Sequence, residues 1–416
     1  MRSTDPRRDL PAPSRRIATL GLLAAGLGWR NAVAREPASQ PRSASLPAAA
    51  PSPPPGRVLQ VGPGRALATP GQAARVARDG DTVEVDAGEY HGDVAVWTQQ
   101  HLRLRAVGGR ARLLASGAAA EGKALWVLRG GPFDVQGFDF EGVRVPSRNG
   151  AGIRFEAGEL SVRDCRFTGN EMGLLASNQA DAVLRVEGCE FARNQRPDGH
   201  NHNLYVGAIA RLTVTGCWLH HAATGHLLKS RAAVSHVLFN RLSDEAGGSA
   251  SYELEFPNGG VAVVVGNLIQ QGPATQNAAM VGYGLEGYRW EHNRLLLVNN
   301  TLVDELPQGG SFLRLAPGPV EVRAINNLLV GGSGRWPAIE GAELRANTAL
   351  PRRAFVDADG FDFRPRKGTR WPVAPVAVNL SELLPAGPAR QYRHPASTVA
   401  LPRPAAYLGA FAPAAN

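Results

Sequence analysis

Leu160-Ser161-Val162-Arg163-Asp164-Cys165-Arg166-Phe167 is the stretch that decides the fold. Apolar side chains alternate with polar ones, a small residue follows, and another apolar residue closes the unit. The pattern returns as Leu184-Val186-Cys189-Phe191 and Leu212-Val214-Cys217-Leu219. Asparagine then replaces cysteine in Val237-Asn240-Leu242, Val264-Asn267-Ile269, Asn300-Leu302 and Asn327-Leu329. A weaker copy, Phe133-Val135-Phe138-Phe140, precedes them. Copies lie 23 to 33 residues apart, a period that marks a solenoid. The alternation is strand-like and helical spacing is absent, so each copy is one coil of short strands. The expected fold is all-β: a single-stranded right-handed parallel β-helix with an N-terminal capping helix.

Stacking gives the invariant position its role. Equivalent residues of successive coils lie about 4.8 Å apart, so a row of inward asparagines hydrogen-bonds along the stack. Asn240, Asn267, Asn300 and Asn327 fit that use. Cys165, Cys189 and Cys217 share the row and fit as small buried apolar residues. A disulfide between neighbouring coils is the minor alternative.

The termini set the domain organisation. Arg2, Arg7, Arg8, Arg15 and Arg16 precede an apolar run from Ile17 to Gly28, and Ala32-Val33-Ala34 fits a cleavage site. Residues 1–34 are therefore expected to be an export signal, by the general or the twin-arginine route, with a periplasmic or secreted product. Residues 35–56, rich in Pro, Ala and Ser, form a linker. The β-helix is expected over 57–412. No apolar run reaches the length of a membrane span. Net charge is +9; the leader holds six Arg and two Asp, so its loss leaves +5. That balance suits an acidic partner without calling for nucleic acid, and a monomer is expected.

Residues 61–96 run Val61-Gly62-Pro63-Gly64, a helical Gln72-to-Arg78 segment, then Asp79-Gly80-Asp81-Thr82-Val83-Glu84-Val85 and Gly88-Glu89-Tyr90. This stretch resembles the opening segment of pectate-lyase-like β-helix proteins. Asp362-Phe363-Arg364 through Tyr407-Leu408-Gly409-Ala410-Phe411 resembles their closing segment. The resemblance implies the fold and leaves activity open, because that superfamily holds lyases, hydrolases, epimerases and binding proteins.

Chemistry concentrates in the middle of the chain. His200-Asn201-His202-Asn203-Leu204-Tyr205 is followed by His220-His221 and by Gly225-His226-Leu227-Leu228-Lys229-Ser230-Arg231. Six of the ten histidines fall between 200 and 236. Tyr252-Glu253-Leu254-Glu255-Phe256-Pro257-Asn258 comes one coil after Lys229. If Leu228, Ser230, Leu254 and Phe256 point inward, Arg154, Tyr205, Lys229 and Glu255 form an outward row. Only Lys123, Lys229 and Lys367 are lysines among 45 Lys plus Arg, and lysine, unlike arginine, can serve as a base. The bland alternative is a lysine held by Glu255.

Lys229-Ser230 resembles the Lys-Ser of β-helix alginate and chondroitin lyases. The resemblance implies a catalytic base at Lys229. The Arg-His-Gly those lyases carry on the next coil is replaced by Leu254 to Gly259, and their acidic calcium ligand by Thr224. No cofactor is therefore expected. A metal reading of His200 and His202 with His226 or His221 is weaker still.

The leading expectation is an exported polysaccharide lyase acting on uronic-acid-containing glycans, with an acidic polysaccharide or oligosaccharide as partner. Lys229 is the expected base and Tyr205 or His226 the proton donor. Arg231, Arg154 or His202 would bind the carboxylate, with His200, Glu253, Glu255 and Asn258 along the substrate path. A non-catalytic glycan-binding or structural β-helix is one alternative. A glycoside hydrolase using Glu253, Glu255 or Asp244 is another. The ladder gives the first testable outcome: denatured, unreduced protein should titrate with three free thiols, one for each cysteine in the sequence. A single free thiol would reveal a disulfide.

Overall fold

The computed structural model describes residues 56–196, 201–332, 336, 338–379, 390–401 and 407–413. Within residues 53–416 the chain winds into an all-β parallel solenoid of about ten turns that matches a right-handed β-helix. The leader, most of the linker and His200 lie outside the described residues.

Three parallel ladders make the walls. One stacks Met172–Ala176, His202–Val206, His226–Ser230, Leu254–Phe256, Ala279–Tyr283 and Ser311–Leu315. A second stacks Gln179–Glu187, Ile209–Thr215, Val234–Leu238, Val261–Val265, Arg294–Val298 and Glu321–Ile325. The third stacks Arg166–Thr168, Glu190–Ala192, Trp218–His220, Arg241–Ser243, Leu268–Gln271, Thr301–Asp304 and Leu328–Gly331. Inward residues fill the bore, among them a run of stacked rings: Phe140 on Phe167 at 5.0 Å and Phe167 on Phe191 at 4.7 Å. The short helix Pro70–Val76 starts two residues earlier than its sequence suggests. Pro70 occupies its first turn, where no amide hydrogen is needed, and Thr69 caps it through Oγ1 to the Gln72 amide. Ala73 is buried among the core side chains.

The expected row lies between the second and third ladders. The Cys165 amide nitrogen donates to Cys189 Sγ at 3.4 Å, and that of Cys189 donates to Cys217 Sγ at 3.4 Å. From Cys217 onward each amide donates to an asparagine Oδ1 on the next coil: Asn240, Asn267, Asn300, Asn327 and finally Asn347. All three cysteines are buried, free thiols. A second row, Asn170, Asn194 and Asn203, does the same one corner away.

Past Leu350 the chain folds back over the outer face of the third ladder. Asn299 Nδ2 donates to the Tyr407 carbonyl at 2.6 Å, and the Ala410 amide to Thr301 Oγ1 at 3.0 Å. Leu268 and Leu328 are buried beneath it.

Asn267 is the member of the row with the most to lose. It accepts from the Asn240 amide, and its Nδ2 donates to the Val237 carbonyl and to Asn300 Oδ1. Asn267→Leu keeps the bulk and strands those partners in a dry interior. It should cost about 2 to 4 kcal/mol, since a buried unsatisfied group costs about 1 to 3 kcal/mol. A urea-unfolding midpoint equal to that of the parent would show that the row does not hold the coils.

Candidate functional site

The outward row on the first ladder forms in register. Arg154 pairs with Leu175, Leu175 with Tyr205, Tyr205 with Lys229, Lys229 with Glu255, Glu255 with Gly282 and Gly282 with Arg314. Leu228, Ser230, Leu254 and Phe256 point inward, all buried. One strand spacing of about 4.8 Å separates neighbours, so side chains distant in sequence meet along this face.

Lys229 is the centre. Its Nζ lies 2.9 Å from Glu255 Oε2 and 2.7 Å from Glu286 Oε1. The other Glu286 oxygen meets Arg231 Nη2 at 2.7 Å. Arg231 also donates through Nε to the Tyr205 phenol oxygen at 3.0 Å and through Nη1 to Asn258 Oδ1 at 2.6 Å. Lys229 is only 9% exposed, and a charge so deep needs partners. Its ion pair with Glu255 is the alternative the sequence already offered. The second partner was missed. Glu286 sits in the turn after Ala279–Tyr283, outside the repeat, where nothing in the sequence marks it.

Burial opposes ionisation of Glu255, but hydrogen bonds from His226 and Lys229 together with the Lys229 charge outweigh it and hold the carboxyl below its ordinary range. Glu286 follows the same logic, with Lys229 and Arg231 as partners. His226 is pushed down by burial; as a neutral imidazole it donates Nε2–H to Glu255 at 2.8 Å. That contact spends the proton it was expected to give a leaving group. His202 is also engaged: its Nδ1 accepts the His226 amide at 3.1 Å and its ring stacks on Tyr205 at 5.4 Å. Asn258 is 2% exposed and bridges Arg231 to the Gly287 carbonyl, so it braces the site.

Arg154 differs from the other cations. It is half-buried, and burial pushes its guanidinium down, with Glu156 and Tyr205 only partly offsetting this. Its Nε is buried without a hydrogen-bond partner among the described residues.

Two expected carboxylates are misplaced for contact with a glycan. Glu253 and Asp244 are fully buried. Asp244 Oδ2 accepts the Ala250 amide at 2.7 Å, and Glu253 lies beside Thr275. Glu253 comes just before the strand Leu254–Phe256, in a closed corner where alternation no longer decides orientation. Burial, then repulsion from Glu245, lifts Asp244 to about 7. Burial and the Asp244 charge push Glu253 up as well.

The histidine metal reading is also redrawn. His221 stands on the third ladder with His220 and Glu245, their donor atoms within 4.8 Å. His220 and Glu245 are already held by Glu190 and by Arg241 with Trp218.

No family model and no curated protein matches this chain. Among solved structures, pectate lyase Pel9A superposes with a TM-score of 0.53 at 13% identity, covering 87% of this chain and 97% of that one. ORF18 of Geobacillus virus E2 gives a TM-score of 0.45 at 12% identity, covering 65% of this chain and 53% of that one. Pectin methylesterase from Aspergillus niger gives 0.33 at 10% identity, covering 80% and 95%. The likeness to pectate lyase Pel9A is one of fold, a parallel β-helix.

The interior carboxyls predict a pH effect of definite sign. Asp244 has a raised folded value, so it costs stability once pH exceeds its unfolded value, and the loss is complete above about 7. Asp244→Asn keeps an oxygen for the Ala250 amide and removes the ionisation. Between about pH 4 and pH 8 the parent's urea midpoint should fall relative to that of the variant. Parallel midpoints over that range would show that Asp244 does not titrate between the folded and unfolded states.

Proposed function

We propose that this chain is an exported, polysaccharide-active β-helix protein, and that it cleaves uronic-acid-containing glycans by β-elimination. One observation carries the reading: Lys229 and Arg231 grip a carboxylate, that of Glu286, directly beside the Tyr205 hydroxyl. β-Elimination requires a cationic cradle for a carboxylate with a proton-moving group next to it. A substrate carboxylate would replace that of Glu286, which is 42% exposed at its side chain and reachable from solvent on this face.

The roles follow from the contacts. Two ion pairs engage the Lys229 ammonium, so the lone pair a base needs is not on offer. Lys229 and Arg231 together neutralise the substrate carboxylate, which favours loss of the adjacent proton. Tyr205, reacting as the phenolate, takes that proton and passes it to the leaving oxygen as the C–O bond breaks and the double bond forms. Arg231 donates to the phenolate oxygen and stabilises its charge. His226 and Glu255 fix Lys229, and Asn258 fixes Arg231. Asp244 and Glu253 are interior, which weakens the hydrolase reading.

The wider row supports a polymeric substrate. Its cations, Arg154, Lys229 and Arg314, each stand three coils from the next. At about 4.8 Å per coil the interval is roughly 14 Å, suited to an extended polyanion lying along the solenoid. The fold shared with a pectate lyase points the same way. The leader read at residues 1–34 is consistent with an extracytoplasmic substrate.

The test is ultraviolet absorbance of the unsaturated product on a panel of acidic glycans, with two variants. Tyr205→Phe should lower turnover by about 10² to 10⁴, the usual cost of losing a positioned proton-transfer group, and leave glycan binding intact. Lys229→Arg keeps the charge and both ion pairs and should retain more than about a tenth of parental turnover. A loss of 10²-fold or more in Lys229→Arg would return the base to Lys229. Tight binding with no unsaturated product from any glycan would leave a binding solenoid.

A further inference from the structure

A second site lies on the outer face of the third ladder. Where the folded-back C-terminal segment crosses the third ladder it leaves a cavity of about 430 Å³, within the range of about 300 to 1,000 Å³ usual for small-molecule sites. Phe361, Phe363, Tyr392 and Phe411 supply ring surface, and Arg241, Arg393 and His394 supply donors. Arg364 also lines it, but Asp362 holds that guanidinium at 2.8 Å.

Arg241 is the informative residue. It is 7% exposed, and its guanidinium lies between two rings, 5.6 Å from Trp218 and 5.1 Å from Phe361. Nη2 pairs with Glu245 at 2.7 Å. Nε is buried and has no hydrogen-bond partner among the described residues. A buried, unused N–H on a cation costs stability unless something accepts from it. Arg393 adds an exposed positive charge at the rim, and Asp362 is the one acidic residue in the lining.

We infer that this cavity binds a monocarboxylate carried on a six-membered ring. The carboxylate would accept from Arg241 and Arg393, and the aromatic side chains would face the ring. Guanidinium donors match carboxylate geometry, and aromatic faces match either an aromatic ring or the apolar face of a pyranose. The two sources share this chemistry. The site is independent of the groove holding Lys229.

Titration calorimetry on the intact chain tests the inference with four probes: benzoate and methyl glucuronoside, and the neutral benzyl alcohol and methyl glucoside. At least one carboxylate should bind, about tenfold or more tighter than its neutral counterpart. Benzoate alone would indicate an aromatic acid, and the uronoside alone a sugar acid. Val399→Trp fills the cavity from a partly exposed strand and should abolish binding without moving the thermal melt. Arg393→Ala, at the exposed rim, should weaken it about tenfold. Lys229→Ala, in the groove, should leave it unchanged. Absence of heat from both carboxylates overturns the inference. So does binding that survives both cavity variants, or binding that vanishes with Lys229→Ala.

Discussion

Eight successive coils turn a corner on one residue in the left-handed backbone region, and in seven of them a side chain of the next coil accepts the hydrogen bond of the amide that follows. Asp164, Gly188, Gly216, Phe239, Gly266, Asn299, Asn326 and Ala346 have φ between 47° and 67°. Each directly precedes a member of the row from Cys165 to Asn347. The turn aims the following amide along the solenoid axis, where water cannot reach it. A side-chain acceptor from the next coil is therefore required. Asparagine is the better occupant, since it accepts there and donates to a carbonyl of the coil behind. Cysteine fills the space as a weak acceptor and a weak donor to the equivalent carbonyls. Glycine readily takes this backbone conformation, whereas Phe239 takes it at a steric cost that the closed hydrogen bonds at Asn240 offset.

This corner fixes register, and register builds the site. A slip of one residue would turn every outward side chain of the first ladder into the bore. With the row pinned, Tyr205, Lys229 and Glu255 stack on consecutive coils. Their alignment costs no further ordering of backbone, because the walls are already rigid.

The ladder, the coil period and the outward row were legible because each rests on periodicity, which a sequence displays directly. Leu228 and Leu254 were enough to orient Lys229 and Glu255. What escaped lay in corners and loops. Asn194 and Asn203 are nine residues apart, so no repeat flags them. Glu286 is 57 residues from Lys229 and belongs to a turn of irregular length. Glu253 sits one residue before a strand, where alternation has not begun, and it is interior instead of lining the groove. The helix read at Gln72 to Arg78 runs instead from Pro70 to Val76, an offset usual for helix boundaries.

Charge pairing explains how a groove floor can hold so many ionised groups. Lys229 and Glu255 are nearly dry, and each alone would be costly. Glu255 serves His226 and Lys229 together, and Glu286 serves Lys229 and Arg231, so each of these five groups has a partner. Exchange of the Glu286 carboxylate for one from outside preserves the number of ion pairs. The first carboxylate of a ligand therefore adds little net attraction here, because it replaces an equivalent contact and must also displace a loop. Affinity has to come from positions with no internal partner to displace. Arg154 is such a position, half-buried with an unused Nε three coils away. A single sugar acid cannot reach both, whereas an extended chain can. On the proposed reading, internal compensation at Lys229 would make this face selective for polymers over monomers, through the spacing of its cations and not through their strength.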